Sequence, residues 1–505
     1  MDAAKRIIIN TSAQYVRTII GGIITLYSAR IILHCLGTDD FGIYSLVAGV
    51  VMMLSFITNA LSSTTQRYVS YYQGKNNKDQ VTIVLSNSIF LHLGIGLSAV
   101  LILTLFFPFL FDVINIPDIR KEAASWVYFS VIATLFLSFM TSPFRALLIS
   151  HENIVFISII DLSDAILKLF IALSLSHVSF DKLIYYGIML SLVQLFNLIA
   201  LGLFCFKRFD ECVVPRCSHI SFTYIKGLSH FAGWSIYTIG CQVGRTQGIA
   251  IVINRLMGTA VNAAYGLAMQ VSSYANFLAS ALHNSIRPQI IKAEGGGERE
   301  KMLKLSELAC KYGFFLMSLV AIPCIFEMPK LLGIWLGDVP PYTVLFTDMY
   351  LLAMIVDKLT DGLNITNQAI GRLKTFTLWV NTGKLLTVPV CYLLLKIGFK
   401  PLSMAICFIA IEFICALIRL PIINRQTGLS YISFAKNVIL RLLSPTVLCI
   451  LTCYLITYLL NSNYRLVLTF IVSAIVYTFS FYFLSMESNE RTRVLKTIFP
   501  SYAKD

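Results

Sequence analysis

Charge is scarce in this sequence: 13% of its 505 residues are Asp, Glu, Lys or Arg, about half the roughly 25% of a soluble domain. With 57% of residues hydrophobic, too little polar surface exists to cover the apolar atoms of a water-soluble globule, which leaves a multi-span membrane protein. Long polar stretches are missing as well, so no sizeable soluble domain is expected. No G-x-x-x-x-G-K-[ST] phosphate loop occurs, which excludes an internal ATP motor of that kind. The amino end, MDAAKR before a polar-dotted apolar run, shows no A-x-A pattern and reads as a retained first helix rather than a cleaved leader. A second cysteine pair is absent beside Cys212, Cys217 and His219. These therefore read as reduced thiols, with no metal or cofactor expected. Cys35, Cys241, Cys310, Cys324, Cys391, Cys407, Cys415, Cys449 and Cys453 lie in or at the ends of apolar stretches, which excludes a secreted disulfide framework.

Fourteen apolar runs are long enough to cross about 30 Å of hydrocarbon as helices of roughly 20 residues. They cover 10–35, 41–66, 81–107, 121–144, 153–176, 181–206, 229–254, 260–286, 307–327, 344–366, 373–396, 402–424, 438–460 and 465–485. The runs are continuous rather than alternating, and a helix satisfies its own backbone inside lipid, so helices are preferred over barrel strands. An even number of helices places both termini on one side. Loops on that side carry 25 Lys and Arg against 8 in the opposite loops, which predicts cytoplasmic termini. The net charge of +14 is thereby placed at topology anchors, and nucleic acid is not expected as a partner.

A shift of 221 residues lays LGTDDFGIYSLVAGV onto MGTAVNAAYGLAMQV. Gly37, Thr38, Tyr44, Leu46 and Val50 recur as Gly258, Thr259, Tyr265, Leu267 and Val271, and Gly74 falls on Gly295. A six-helix repeat keeps its orientation, so two parallel bundles related by an axis along the membrane normal are predicted. The expected division is an amino-terminal bundle 1–206, a cytoplasmic linker 207–228, a second bundle 229–424, a helix pair 438–485 and a tail 486–505. Gly240, Gly244 and Gly248 form a small-xxx-small row for close helix approach. Pro389 and Pro445 fall inside the eleventh and thirteenth helices and are expected to kink them.

Seven basic residues fall within the spans: Arg17, Arg30, Lys168, Arg245, Lys311, Lys358 and Lys384. Lys311 is expected to snorkel to the inner surface, and Arg30 lies nearer the outer end of its helix. Asp161, Asp164 and Lys168 share one face of the fifth helix. Asp357, Asp361, Asn364 and Gln368 are expected to share one face of the tenth. Gln14 with Arg17, Gln242 with Arg245, and Asn381 with Lys384 make shorter stripes. Stranded charge is costly, so these groups are expected either to line a wet cavity or to neutralise one another as Asp164–Lys168 and Asp357–Lys384 pairs. Arginine and lysine suit phosphate, while amides, hydroxyls and carboxylates suit sugars; the carboxylates also suit coupling ions.

LGTDDFGIYSLVAGV, QGIAIVINRLMGTAVNAAYGLAMQV, HNSIRPQIIKAEGGG and IWLGDVPPYT together resemble the Wzx-like polysaccharide flippases of the multidrug/oligosaccharidyl-lipid/polysaccharide exporter superfamily. The resemblance implies a transporter, not an enzyme, in a bacterial inner membrane. It would turn undecaprenyl-diphosphate-linked oligosaccharide, an O-antigen or capsule repeat unit, from the cytoplasmic to the periplasmic leaflet by alternating access. Implied partners are that lipid-linked glycan, membrane lipid, a polysaccharide polymerase, and H⁺ or Na⁺ if transport is coupled. Arg17 and Arg245 look equivalent to the family's cavity cations. Arg17, Arg245 and Lys384, with Lys168 and Arg30, are the candidates for the diphosphate; Asp161, Asp164, Asp357, Asp361, Asn364, Gln242 and Asn381 are those for sugars or ions. The alternatives are a cation-coupled drug exporter of the same superfamily and a membrane glycan polymerase or ligase. The latter ranks last, because the outer loops near 108–120 and 328–343 are short and lack His and Cys. Alkaline phosphatase fused after Asp338 should be active and fused after Glu300 inactive; the reverse pattern would invert the predicted topology.

Overall fold

A computed structural model describes residues 3–52, 54–113, 116–215, 220–460, 464–488 and 490–492. Cys217 and His219 lie outside the described residues. Fifteen helices run through the described residues, and no strand occurs among them. They are α1 (Ala3–Met52), α2 (Ser55–Gly74), α3 (Lys78–Val113), α4 (Lys121–Ser150), α5 (Ile154–Ser174), α6 (Lys182–Arg208), α7 (Phe222–Met257), α8 (Thr259–Gly295), α9 (Arg299–Leu336), α10 (Thr343–Lys358), α11 (Asp361–Ile370), α12 (Leu373–Lys396), α13 (Pro401–Thr427), α14 (Tyr431–Leu459) and α15 (Arg465–Ser485). Nine helices among the described residues are long and apolar enough to span a bilayer. The chain is therefore an all-α, multi-pass membrane protein.

Two of the expected spans are built differently. The run 41–66 is divided between the end of α1, which bends at Gly37, and α2, which starts at Ser55. The run 344–366 breaks at Leu359 and Thr360, giving α10 and α11. Asp357 and Asp361 thus sit on opposite sides of a joint rather than on one continuous face.

The duplication is written in the backbone. Gly37 (φ 80°, ψ 171°) and Gly258 (φ 89°, ψ 173°) occupy the same region, one open almost only to glycine. At the same shift of 221, Asn76 and Gly297 both have positive φ, and α3 and α9 both begin two residues later, at Lys78 and Arg299. Further along the shift becomes 219: Glu152 (φ 59°) matches Gly371 (φ 84°), and α6 and α13 are both 27 residues long.

The helices divide into two compact units, Ile8–Ile236 and Tyr237 onward with the first seven residues. In the first, α4 and α6 approach closely through small residues. A Cβ on Gly187 would lie 3.4 Å from Val127, and Ser191 donates to the Ser130 carbonyl at 2.7 Å. Tyr128, fully buried, donates to the Leu103 carbonyl on α3 at 2.6 Å. In the second unit, Gly244 and Gly248 pack α7 on Leu385 and Val388 of α12, where an added Cβ would come within 3.3 and 3.0 Å; Gly240 faces nothing within 4 Å. Pro389 cannot donate to the Leu385 carbonyl, and the regular helix is interrupted at Leu386. Gly362 brings α11 against the backbone of α9 at Ser306 and Cys310.

The last two helices dock on α9. Pro445 in α14 frees the carbonyl of Arg441, and the hydroxyl of Ser485 takes it at 2.6 Å. Arg465 of α15 forms a two-bond fork on Glu327 of α9, at 2.8 and 2.9 Å, and Thr469 adds a third bond at 3.0 Å. At the other end of α9, Lys311 meets Glu490 at 2.6 Å. Lys311 is therefore buried and neutralised by the tail segment, which corrects the expectation that it snorkels. Gly258→Ala should lower thermal stability by about 1–3 kcal/mol, because it forces a side chain into a strained conformation; Gly21→Ala, with open space around it, should not. Equal melting of the two variants would refute the assignment of strain.

Candidate functional site

Each unit holds a network in which carboxylates are shared between cations. In the first unit, Asp161 on α5 accepts from Arg145 on α4 through both oxygens, at 2.9 and 2.6 Å, and also from Arg17 on α1. Two arginines face one carboxylate. One turn further along α5, Asp164 pairs with Lys168 at 2.7 Å and accepts from Asn197 of α6 at 2.8 Å. This pair lines a cavity of about 180 Å³, together with Tyr44, Thr134, Tyr186 and Gln194. The rings of Tyr44 and Tyr186 meet edge to face with centroids 4.9 Å apart.

In the second unit a chain of alternating charge runs through four helices. Arg245 of α7 donates to Glu412 of α13 at 2.7 Å and lies over the Phe408 ring at 3.8 Å. Lys384 of α12 bridges Glu412 and Asp357 of α10, the latter at 2.8 Å. Arg419 of α13 closes the chain on Asp357 at 2.5 Å and also donates to Thr360 at 3.2 Å. Three cations here face two carboxylates. Beyond the break between α10 and α11, Asp361 pairs with Lys358 at 2.7 Å and faces His283 of α8 at 3.1 Å.

The structure thus brings together Arg17 with Asp161, Asp164 with Lys168, and Arg245 with Lys384 and Asp357. Asn381 donates to Thr238 at 3.0 Å and ties α12 to α7. Four candidates stand apart from these networks or only border them. Arg30 and Gln242 are exposed, Asn364 is half-buried on α11, and Asp361 serves the separate Lys358–His283 cluster. The pairs Asp164–Lys168 and Asp357–Lys384 neutralise each other directly, but the sharing of Asp161, Glu412 and Asp357 leaves each network one positive charge in excess.

Sequence reasoning missed two members. Arg145 lies just past its apolar run and Arg419 in the last two turns of its own, where both read as loop anchors, yet both helices continue for several residues beyond them. The signal was available: Arg419 follows Glu412 by two helical turns on the same face. Outside the spans, Cys212 is buried in the loop after α6, and burial pushes its thiol up to about 12, so it is protonated at neutral pH and unsuited to hold a metal.

This fold is shared with solved transporters of one superfamily. A MATE protein in its bent conformation aligns over 85% of this chain and 96% of its own, with TM-score 0.75 and 13% identity. A MOP superfamily transporter from Pyrococcus furiosus, whose binding pocket is described as having reverse polarity, aligns over the same shares with TM-score 0.72 and 13% identity. An outward-facing multidrug resistance MATE family transporter gives 0.71, again at 13% identity and 85% and 96% coverage. No curated protein matches the sequence. Residues 3–293 match the family of polysaccharide biosynthesis proteins; the chain belongs to that family.

Breaking one link should expose the sharing. Asp357→Asn leaves Lys384 and Arg419 in excess and should cost about 3–5 kcal/mol in thermal unfolding of the purified protein. Adding Lys384→Met should recover about 0.5–3 kcal/mol of that loss; strict additivity of the two substitutions would show that the residues do not interact.

Proposed function

We propose that the chain is a flippase that moves undecaprenyl-diphosphate-linked oligosaccharide, an O-antigen or capsule repeat unit, from the cytoplasmic to the periplasmic leaflet of a bacterial inner membrane by alternating access. The observation that carries this reading is membership in the polysaccharide biosynthesis family on a fold that solved transporters share. The chemistry of the networks supports it. A diphosphate diester is anionic, and the Asp161 network and the Glu412–Asp357 network each hold one positive charge beyond neutrality. Arg17 and Arg145 in one, and Arg245, Lys384 and Arg419 in the other, are the groups that exchange a carboxylate for a phosphate oxygen. Because each carboxylate already has two cationic partners, releasing one cation to the ligand does not strand it unpaired, which keeps the exchange cheap in a low-dielectric setting.

The cavity beside Asp164 suits a sugar. It offers amide, hydroxyl, carboxylate and ammonium groups at its polar wall and two tyrosine rings at its apolar one, the mixture by which a ring with hydroxyls on its edge and carbon on its face is recognised. On this reading Asp164, Lys168 and Gln194 bind the glycan, and Asp161 and Asp357 tune the arginines. A downstream polysaccharide polymerase is the natural acceptor of the product.

The multidrug reading is supported by the shared fold and separates from the first by experiment. In a bacterium lacking its own flippase of this class, the protein with the matching glycan genes should restore surface glycan. Arg17→Ala and Arg245→Ala should each cut that display about ten-fold or more with unchanged membrane levels. Full display in both variants would remove these residues from the site, while raised resistance to cationic dyes without surface glycan would favour drug export.

A further inference from the structure

The cavity beside Asp164, about 180 Å³, is well below the roughly 300–1,000 Å³ of a pocket that encloses a drug-sized ligand, so it has room for one sugar ring and not for a chain of them. Its polar wall is an ion pair left partly open. Lys168 gives one bond to Asp164 at 2.7 Å, and 47% of its side chain is exposed; an ammonium has three donors, so donors remain for a ligand. Asp164 accepts from Lys168 and from Asn197, and an ionised carboxylate has about four acceptor sites, so it too keeps free capacity. Donors and acceptors thus lie side by side, and the pair carries no net charge.

Neutrality decides what can enter. One hydroxyl that donates to Asp164 and a neighbouring one that accepts from Lys168 satisfy both groups without parting them, while the carbon face of the ring meets Tyr44 and Tyr186. A uronic acid instead competes with Asp164 for Lys168, and the ammonium of an amino sugar competes with Lys168 for Asp164. Either exchange leaves an ionised group unpaired at bilayer depth. The cavity also has a charged neighbour. Asp161, with Arg17 and Arg145, stands three residues before Asp164 on the same face of α5, about 4.5 Å along the helix axis. That offset matches the step from a phosphate to the sugar ring it esterifies.

We infer that the Asp164–Lys168 pair selects an uncharged sugar with two adjacent hydroxyls, and that the ring it reads is the one esterified to the diphosphate. The charge rule belongs to the cavity itself; the place of that ring as the first sugar of a carrier lipid rests on the flippase reading above.

Purified full-length protein in lipid nanodiscs is offered the methyl glycosides of glucose and galactose, their uronic-acid counterparts and their 2-amino counterparts, at a pH where the amine is charged, and binding is read by saturation-transfer NMR. Wild type should prefer at least one uncharged glycoside over both of its charged forms by about ten-fold or more. Asp164→Asn leaves Lys168 unpaired and should turn that preference towards the uronic acid; Lys168→Gln leaves Asp164 unpaired and should turn it towards the amino sugar. Exchanging the two, Asp164→Lys with Lys168→Asp, restores neutrality and should restore the preference for the uncharged form, which separates a charge rule from a loss of folding. A preference that stays the same across the single variants, or no transfer from wild type to any glycoside, overturns the selection. For the neighbouring phosphate, the 1-phosphate of the preferred sugar should bind about ten-fold more tightly than its methyl glycoside, and Arg17→Ala should erase that gain. A gain that survives the substitution, or a 6-phosphate that does equally well, overturns the adjacency. If these results hold in a protein that restores no surface glycan, the flippase reading fails and the sugar site stands; a wild type that restores glycan yet binds all charge forms alike overturns the selection alone.

Discussion

The cost of ionised groups in hydrocarbon organises this molecule. A charge at mid-bilayer costs roughly 2.5–3.5 kcal/mol on insertion scales, and helices in lipid lack the hydrophobic drive that assembles soluble cores. What brings α7, α10, α12 and α13 together is therefore the need of Arg245, Lys384 and Arg419 to reach Glu412 and Asp357, helped by glycines that let backbones close up. The same logic joins α1, α4 and α5 through Asp161. Sharing each carboxylate between two cations holds the helices in place without extinguishing the positive charge.

The scaffold is duplicated but the chemistry is not. Gly37 and Gly258, Asn76 and Gly297, and Glu152 and Gly371 repeat the same turns in both halves. At the shifts that match those turns, Arg17 falls on Thr238, Arg245 on Ile24, Asp161 on Val380 and Lys384 on Ala165. Backbone joints have been retained where only glycine or a residue tolerant of positive φ fits. Charge has been placed independently in each half.

Much of the fold is legible from apolar run lengths, because lipid forces the backbone into helices and hydropathy reports where. The Gly37–Gly258 repeat is legible for a different reason: a strained turn tolerates few substitutions. Asp161, Asp164, Asp357 and Lys384 stand out as candidates because charge is rare at these depths. Arg145 escapes notice because its helix continues past the end of the apolar run, and Arg419 because it sits in the last turns of its run, where a basic residue reads as a topology anchor. The break at Leu359–Thr360 is also hidden, since neither residue is a proline or glycine and the discontinuity comes from tertiary contacts, among them Arg419 reaching the Asp357 carbonyl and the Thr360 hydroxyl. Partner choice, such as Lys311 with Glu490, is likewise settled only in three dimensions.

Helix α9 carries two buried charges of opposite sign, and both are answered from the carboxyl-terminal part of the chain: Glu327 by Arg465, 138 positions later, and Lys311 by Glu490, 179 positions later. During synthesis α9 is thus made long before either counter-ion exists. Until the α14–α15 hairpin and the segment after it have been made, neither charge on α9 has the partner it holds in the folded chain, so those later residues complete the electrostatics of a helix made well before them.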